Sequence, residues 1–87
     1  MKIDIENLKK KILYRSQYRG TREMDKLLNS FVLKYVHTID ETKLLSLENF
    51  LNNDDEDLFK FYNNLENNLK FKDEYILDLF KNFKYNE

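Results

Sequence analysis

Met24-Asp25-Lys26-Leu27-Leu28-Asn29-Ser30-Phe31-Val32-Leu33-Lys34-Tyr35 decides the fold class. Its apolar residues Met24, Leu27, Leu28, Phe31, Val32 and Tyr35 fall at i, i+3, i+4, i+7, i+8 and i+11. That spacing is one continuous face of an α-helix, and such a face must be buried against other elements. Working outward, the same period recurs. The segment from about Asp4 to Gln17 carries Ile5, Leu8, Ile12 and Leu13 on one side. Leu44, Leu47, Phe50 and Leu51 form a third set, and Leu58, Phe61, Tyr62 and Leu65 a fourth. Ile76, Leu79, Phe80 and Phe83 form the last. No stretch sustains the two-residue alternation of a half-buried strand. The expectation is an all-α fold, a small bundle of about five short helices with residues 1–87 as a single domain.

The boundaries carry capping chemistry. Gly20, the only glycine in a chain without proline, supplies the break between the first two helices, as a left-handed cap would. Glu23 and Asp25 suit the positive first turn of the second helix. Thr38-Ile39-Asp40-Glu41 fits a capping box at the third. Asp54 is placed to cap the fourth, with Asp55, Glu56 and Asp57 in its first turn. Asn63-Asn64 ends it, since asparagine tolerates the left-handed conformation. Asn67 to Lys72 reads as the loop before the fifth helix.

Composition narrows the function. The chain of 87 residues is 41% hydrophobic and 15% aromatic, which excludes a disordered tail. A domain of this size buries roughly two-thirds of its unfolded surface, enough for one modest core. Its net charge of −1 lacks the basic excess that phosphate-backbone binding needs, so no nucleic-acid partner is expected. Cysteine is absent, which removes disulfides, thiolate zinc ligands and a thiol nucleophile. His37, the only histidine, has no second histidine or cysteine with which to build a zinc site or a triad. It suits a helix C-terminus. The acidic run Asp54 to Asp57 is better explained by the helix dipole than by a cation, because its spacing is not that of a calcium loop. Lys9-Lys10-Lys11 reads as a solvated face. The start Met1-Lys2-Ile3-Asp4-Ile5-Glu6 has neither an apolar secretory core nor transit-peptide character. No apolar run approaches the ~18 residues of a span, so no membrane insertion is expected. A cytoplasmic bacterial protein is the simplest expectation, with the mitochondrial matrix as the setting if a leader has been removed. Leu45-Ser46-Leu47 is similar to the modified-serine site of acyl carrier proteins, but the usual preceding Asp is missing.

The surface that stands out is the corner around Gly20. One permissive backbone position is flanked by Arg19, Arg22, Glu23 and Asp25, with Arg15 one turn earlier and Thr21 adjacent. Glycine permits close backbone approach. Arginine offers a planar donor fork suited to specific protein contacts.

Tyr14-Arg15-Ser16-Gln17-Tyr18-Arg19-Gly20-Thr21-Arg22-Glu23-Met24-Asp25-Lys26-Leu27-Leu28 resembles the signature of the succinate dehydrogenase flavinylation factors, the SdhE family. These are small five-helix proteins with an R-G-x-x-E motif. Phe31 stands at the expected place downstream. Phe50-Leu51 and Asp55-Glu56-Asp57-Leu58-Phe59-Lys60-Phe61 resemble the second block, usually D-P-D-L followed by an aromatic, a spacer and Trp. The resemblance runs from about Ile12 to Asn64. Glu56 replaces the usual Pro, Phe61 the Trp, and Asn64 a helix-closing Gly, each a physically mild exchange.

The resemblance implies a non-enzymatic assembly factor. Its partner would be the flavoprotein subunit of succinate dehydrogenase, with that of fumarate reductase as a second candidate. It would promote attachment of FAD to a histidine of that subunit through the flavin 8α-methyl carbon, contributing geometry and no nucleophile. The chain has no glycine-rich phosphate cradle, so it is expected to act on the partner's FAD without holding FAD stably itself. The expected partner-binding residues are Arg19, Gly20 and Glu23, flanked by Arg15, Thr21, Arg22 and Asp25. Asp55 and Asp57 are expected to serve the fold. No metal and no catalytic residue is expected, and the chain is expected to be a monomer. The rival reading is a helical interaction adaptor or small transcription regulator unrelated to flavin.

Overall fold

The computed structural model describes residues 4–84. Met1 to Ile3, which open the N-terminal reading, and residues 85–87 lie outside them. Five helices follow in order: α1 (Ile5–Arg15), α2 (Arg22–Tyr35), α3 (Glu41–Phe50), α4 (Asp55–Tyr62) and α5 (Glu74–Asn82). Among the described residues there is no strand. No described helix is long and apolar enough to cross a membrane.

Each helix turns the stripe that its spacing implies toward the core, fully or in part, with the exception of Leu65. α1 presents Leu8 and Ile12, α2 Met24, Leu27, Leu28, Phe31 and Val32, and α3 Leu44, Leu47 and Phe50. Leu58 of α4 and Ile76 and Phe80 of α5 complete the set, with Val36, Leu51 and Phe83 buried at helix ends. α1 packs on α2 and α3, while α5 packs on α3 and α4. The centre is aromatic. Phe31 lies edge-on to Phe80 and Phe83, with ring centroids 5.1 and 5.6 Å away, and 6.0 Å from Phe50. Phe50 in turn meets Phe80 at 5.0 Å and Phe71, from the loop before α5, at 5.3 Å. Edge-to-face contacts of this kind add specificity to ordinary area burial.

Several caps differ from the sequence expectation. Gly20 does not have a positive φ; the left-handed residue between α1 and α2 is Tyr18, at φ 56°. The end of α1 is closed by Ser16, which is fully buried. Its hydroxyl donates to the Leu13 carbonyl at 2.7 Å and accepts from Asn29 Nδ2 of α2 at 3.1 Å. Thr38 does not cap α3. Its hydroxyl donates backward to the Tyr35 carbonyl, and Asp40 caps α3 by accepting from the Lys43 amide at 2.9 Å. Aspartate wins because its carboxylate adds charge to the capping bond. Asp54 occupies the N-cap position of α4 without a side-chain capping bond. Asn64 is left-handed, φ 60°, as expected of the helix end. That turn ejects Leu65, which is exposed and does not join the α4 stripe. Exposed His37 follows α2 directly.

Asp73 anchors α5. It accepts from the Tyr75 amide at 3.0 Å and the Ser46 hydroxyl at 2.6 Å, and pairs with Lys43 at 3.0 Å. The Ser46 hydrogen bond, and then Lys43 and the helix amide of Ile76, hold its carboxyl below the usual carboxylate range against the opposing effect of burial. A carboxylate whose pKa is lower folded than unfolded stabilises the protein above its unfolded pKa of about 4. That stabilisation is lost as pH falls through the folded value. Ser46→Ala is therefore expected to lower the urea midpoint at neutral pH and to flatten its fall on acidification. Urea titrations of both proteins at pH 7 and at about pH 3 check this.

Candidate functional site

The turn between α1 and α2 is fastened to the turn between α3 and α4 by one side chain. Arg19 lies with its guanidinium 14% exposed, beside Asp55 at 21%. Its Nε donates to Asp55 Oδ1 at 2.7 Å. Its Nη1 donates to the carbonyls of Arg15 and Leu51, both at 3.0 Å, and its Nη2 to the carbonyl of Asn53 at 3.0 Å. A planar fork is needed to reach three carbonyls and a carboxylate at once; a lysine ammonium has no such geometry. The carbonyls of Leu51 and Asn53 belong to the turn after α3, where the helix leaves acceptors free. α4 starts at Asp55 because the acidic triplet suits its first turn, and this delivers the Asp55 carboxylate to the corner.

The Asp55 carboxylate is shared. Its other oxygen, Oδ2, accepts from the Gly20 amide. A Cβ built at Gly20 would lie 3.0 Å from that oxygen. Gly20 thus serves close approach within the chain, where a side chain would press on the Asp55 carboxylate, and does not serve a positive φ. Asp25 completes the clasp by accepting from the Arg19 amide. Thr21 caps α2, its hydroxyl accepting from the Met24 amide at 3.2 Å. Asp57 supports the loop beyond α4 by accepting from the Asn68 amide at 3.1 Å.

The structure brings all seven expected partner-binding residues to one corner and divides them. Arg19, Gly20, Thr21 and Asp25 are engaged in bonds within the chain. The side chains of Arg15, Arg22 and Glu23 make no hydrogen bond or ion pair among the described residues; Arg22 and Glu23 are exposed and Arg15 is half-buried. Arg22 and Glu23 are the first two residues of α2, so a rigid helix start presents them side by side. Glu23 borders a depression between α2 and α4 whose apolar wall is Met24 and Phe59. Phe59 is 46% exposed and Glu56 adds a second carboxylate there. A neighbouring shallow groove runs past Tyr18 and Gly20 to Asn52 and Asn53.

Sequence reasoning missed two features of this surface. Tyr18 stands within the motif, yet its left-handed backbone and 80% exposure were not legible from spacing. Phe59 falls off the α4 stripe, so the period leaves it outward, but only the structure shows that it walls a depression beside Glu23. Among the described residues no group of three or more His, Asp or Glu side chains converges as a metal site would require. The corner offers no nucleophile with an adjacent base. It offers a fixed set of charges and aromatic rings, the equipment of a protein contact.

The sequence that builds this corner is similar to that of known proteins. Succinate dehydrogenase assembly factor 2, mitochondrial, of Dictyostelium discoideum is 40% identical over 58 residues. The match covers 67% of this chain and spans 41% of the length of that relative. No solved structure matches the chain. Residues 10–84, which include the whole clasp and all five helices except the first turn and a half of α1, match the model of the flavinator of succinate dehydrogenase. The chain belongs to the family of succinate dehydrogenase flavinators.

Proposed function

We propose that this chain is an assembly factor that docks on the flavoprotein subunit of succinate dehydrogenase and promotes covalent attachment of FAD to it. Membership of the flavinator family supports the reading. The observation that carries it to particular residues is the division of the Gly20 corner. An internal clasp of Arg19, Asp55, Gly20 and Asp25 holds the backbone, and the side chains of Glu23, Arg22 and Arg15 have no ion-pair or hydrogen-bond partner among the described residues. A backbone held in place before binding has less entropy to lose on docking, so the cost is confined to ordering the side chains.

The factor acts here by holding the immature subunit in a reactive geometry. Positioning alone can supply a large part of a barrier reduction, so the chain needs no reacting group of its own. It works as a monomer, in the compartment where the flavoprotein subunit matures, and takes FAD as part of the partner. The transcription-regulator reading finds no support in a net charge of −1.

The test is covalent flavin on the purified flavoprotein subunit, read as in-gel fluorescence with and without this chain. Fluorescence that depends on the chain supports the reading; equal signals with and without it overturn it. Glu23→Ala is expected to weaken docking by at least about tenfold, the value of one charge-assisted hydrogen bond. Its helical circular dichroism should stay unchanged and its thermal midpoint should fall only by the small amount expected for losing one first-turn carboxylate, because the Glu23 side chain makes no hydrogen bond or ion pair among the described residues. A Glu23→Ala protein that still supports full flavinylation at limiting concentration would move the working surface elsewhere. Parallel assays on the succinate- and fumarate-linked flavoproteins read which of the two is preferred.

A further inference from the structure

We propose that Tyr18, flanked by Tyr14, is the aromatic anchor with which the Gly20 corner grips the flavoprotein subunit, an inference that rests on the docking reading above. The starting point is a backbone outlier. Tyr18 has φ 56°, a left-handed conformation that is unusual for a bulky aromatic residue and unfavourable for any residue with a Cβ. Glycine would adopt it freely. The chain's one glycine is two residues further on, at a position with no positive φ. The strain at Tyr18 is not offset by burial, because its ring is 80% exposed. Nor does its hydroxyl bond to any described residue. Strained residues of this kind concentrate where the side chain is used outside the fold.

The surroundings hold the backbone on both sides of Tyr18. On one side the Gln17 amide donates to the Tyr14 carbonyl at 3.1 Å, and on the other the Arg19 amide donates to Asp25. Arg19 itself is locked by the clasp. Tyr14, in the last turn of α1, is 69% exposed and its ring lies 6.2 Å from that of Tyr18. Two exposed rings on a pinned turn form an amphipathic ridge with few torsions to freeze, the type of side chain most often found at the energetic centre of protein contacts.

Tyr18 and Gln17 line two polar depressions. One also contains Asn52 and Asn53, and the other Lys26, Asn29 and Ser30. An aromatic centre with a hydrogen-bonding rim is the anatomy of a specific protein interface. The first depression also contains Arg15 and Gly20, so the ridge is continuous with the proposed docking corner. Charges around it are mixed in sign, with Asp25 and Asp54 beside Arg15 and Lys26. This fits a folded protein surface and does not fit the uniformly basic groove that accompanies base stacking.

The test measures binding of the purified flavoprotein subunit together with thermal stability of the factor. Tyr18→Gly is expected to raise the melting temperature while weakening binding on the order of 30-fold, as loss of a central aromatic anchor does. A variant that is more stable but binds worse cannot be explained by damage to the fold. Tyr14→Ala, in a regular exposed helical position, is expected to weaken binding severalfold at unchanged stability, and Tyr18→Phe to keep most of the affinity. Native affinity in Tyr18→Gly overturns the proposal while leaving the docking reading in place. A lowered melting temperature in Tyr18→Gly makes the ring structural and also overturns it. Failure of the native chain to bind the subunit removes the docking reading, and this inference with it.

Discussion

Phe31→Ala is expected to cost about 4 kcal/mol of folding stability, the range for truncating a fully buried phenylalanine. Phe31 is completely buried and its ring meets those of Tyr35, Phe50, Phe80 and Phe83. These partners come from the end of α2, from α3, and from α5 and its C-cap. No single neighbour can move into the vacated space without leaving another contact. An 87-residue domain has on the order of 4–13 kcal/mol in all, so the loss is a large fraction of the whole. It corresponds to a fall in melting temperature of roughly 15–30 °C. Phe31→Leu keeps much of the volume and is expected to cost about 1–1.5 kcal/mol. Urea titrations of the two variants check the ratio. Equal costs would mean that apolar volume alone recovers nothing and that the ring geometry carries the whole contribution; this would overturn the expected ratio.

Arg19→Ala is expected to cost about 3 kcal/mol, through a different cause. The substitution leaves the Asp55 carboxylate without its cation and the carbonyls of Arg15, Leu51 and Asn53 without a donor. Breaking a largely buried, hydrogen-bonded ion pair by removing one partner is expensive because the other is stranded. Arg19→Lys restores the charge without the planar fork and is expected to recover less than half of the loss. A double-mutant cycle with Asp55→Ala should return a coupling of about 1–3 kcal/mol, since the two residues share one network. If the proposed function holds, flavinylation should fall in Arg19→Ala together with a large loss of stability, whereas in Glu23→Ala it should fall with stability little changed. An Arg19→Ala protein with native stability and no docking would instead place the guanidinium in the partner contact.

That contrast follows from the way the motif divides between bonds within the chain and an exposed helix start. Arg19 and Gly20 make the corner, and Glu23 projects from it. The clasp joins residues 36 positions apart, from Arg19 to Asp55. It therefore couples the helix start that carries Glu23 to the start of α4, which carries Phe59. A partner that meets both does so on a surface whose relative positions are set before contact.

The five helices and most of their buried faces were legible in the sequence, because a 3.6-residue period of apolar side chains has one low-energy outcome when each helix must find a partner. The Met24 to Tyr35 stripe, the Asn64 helix end and the loop before α5 are local properties. So is the acidic first turn of α4, whose charges answer to the helix dipole of their own segment. The caps at Ser16 and Asp40 were less legible, since several polar residues compete for each helix end and neighbouring helices decide among them. Leu65 was misplaced because the α4 period continues past the point where the backbone turns. The roles within the Arg19-Gly20-x-x-Glu23 motif were beyond the sequence altogether. Spacing brought these residues to one corner, but only the folded chain showed which charges are consumed internally. That choice depends on carbonyls of Leu51 and Asn53 and on a carboxylate at Asp55, groups far away in sequence whose positions come from packing α1 against α3. The one glycine signalled a close approach; tertiary structure decided that its neighbour is Asp55, and that the left-handed turn falls to Tyr18.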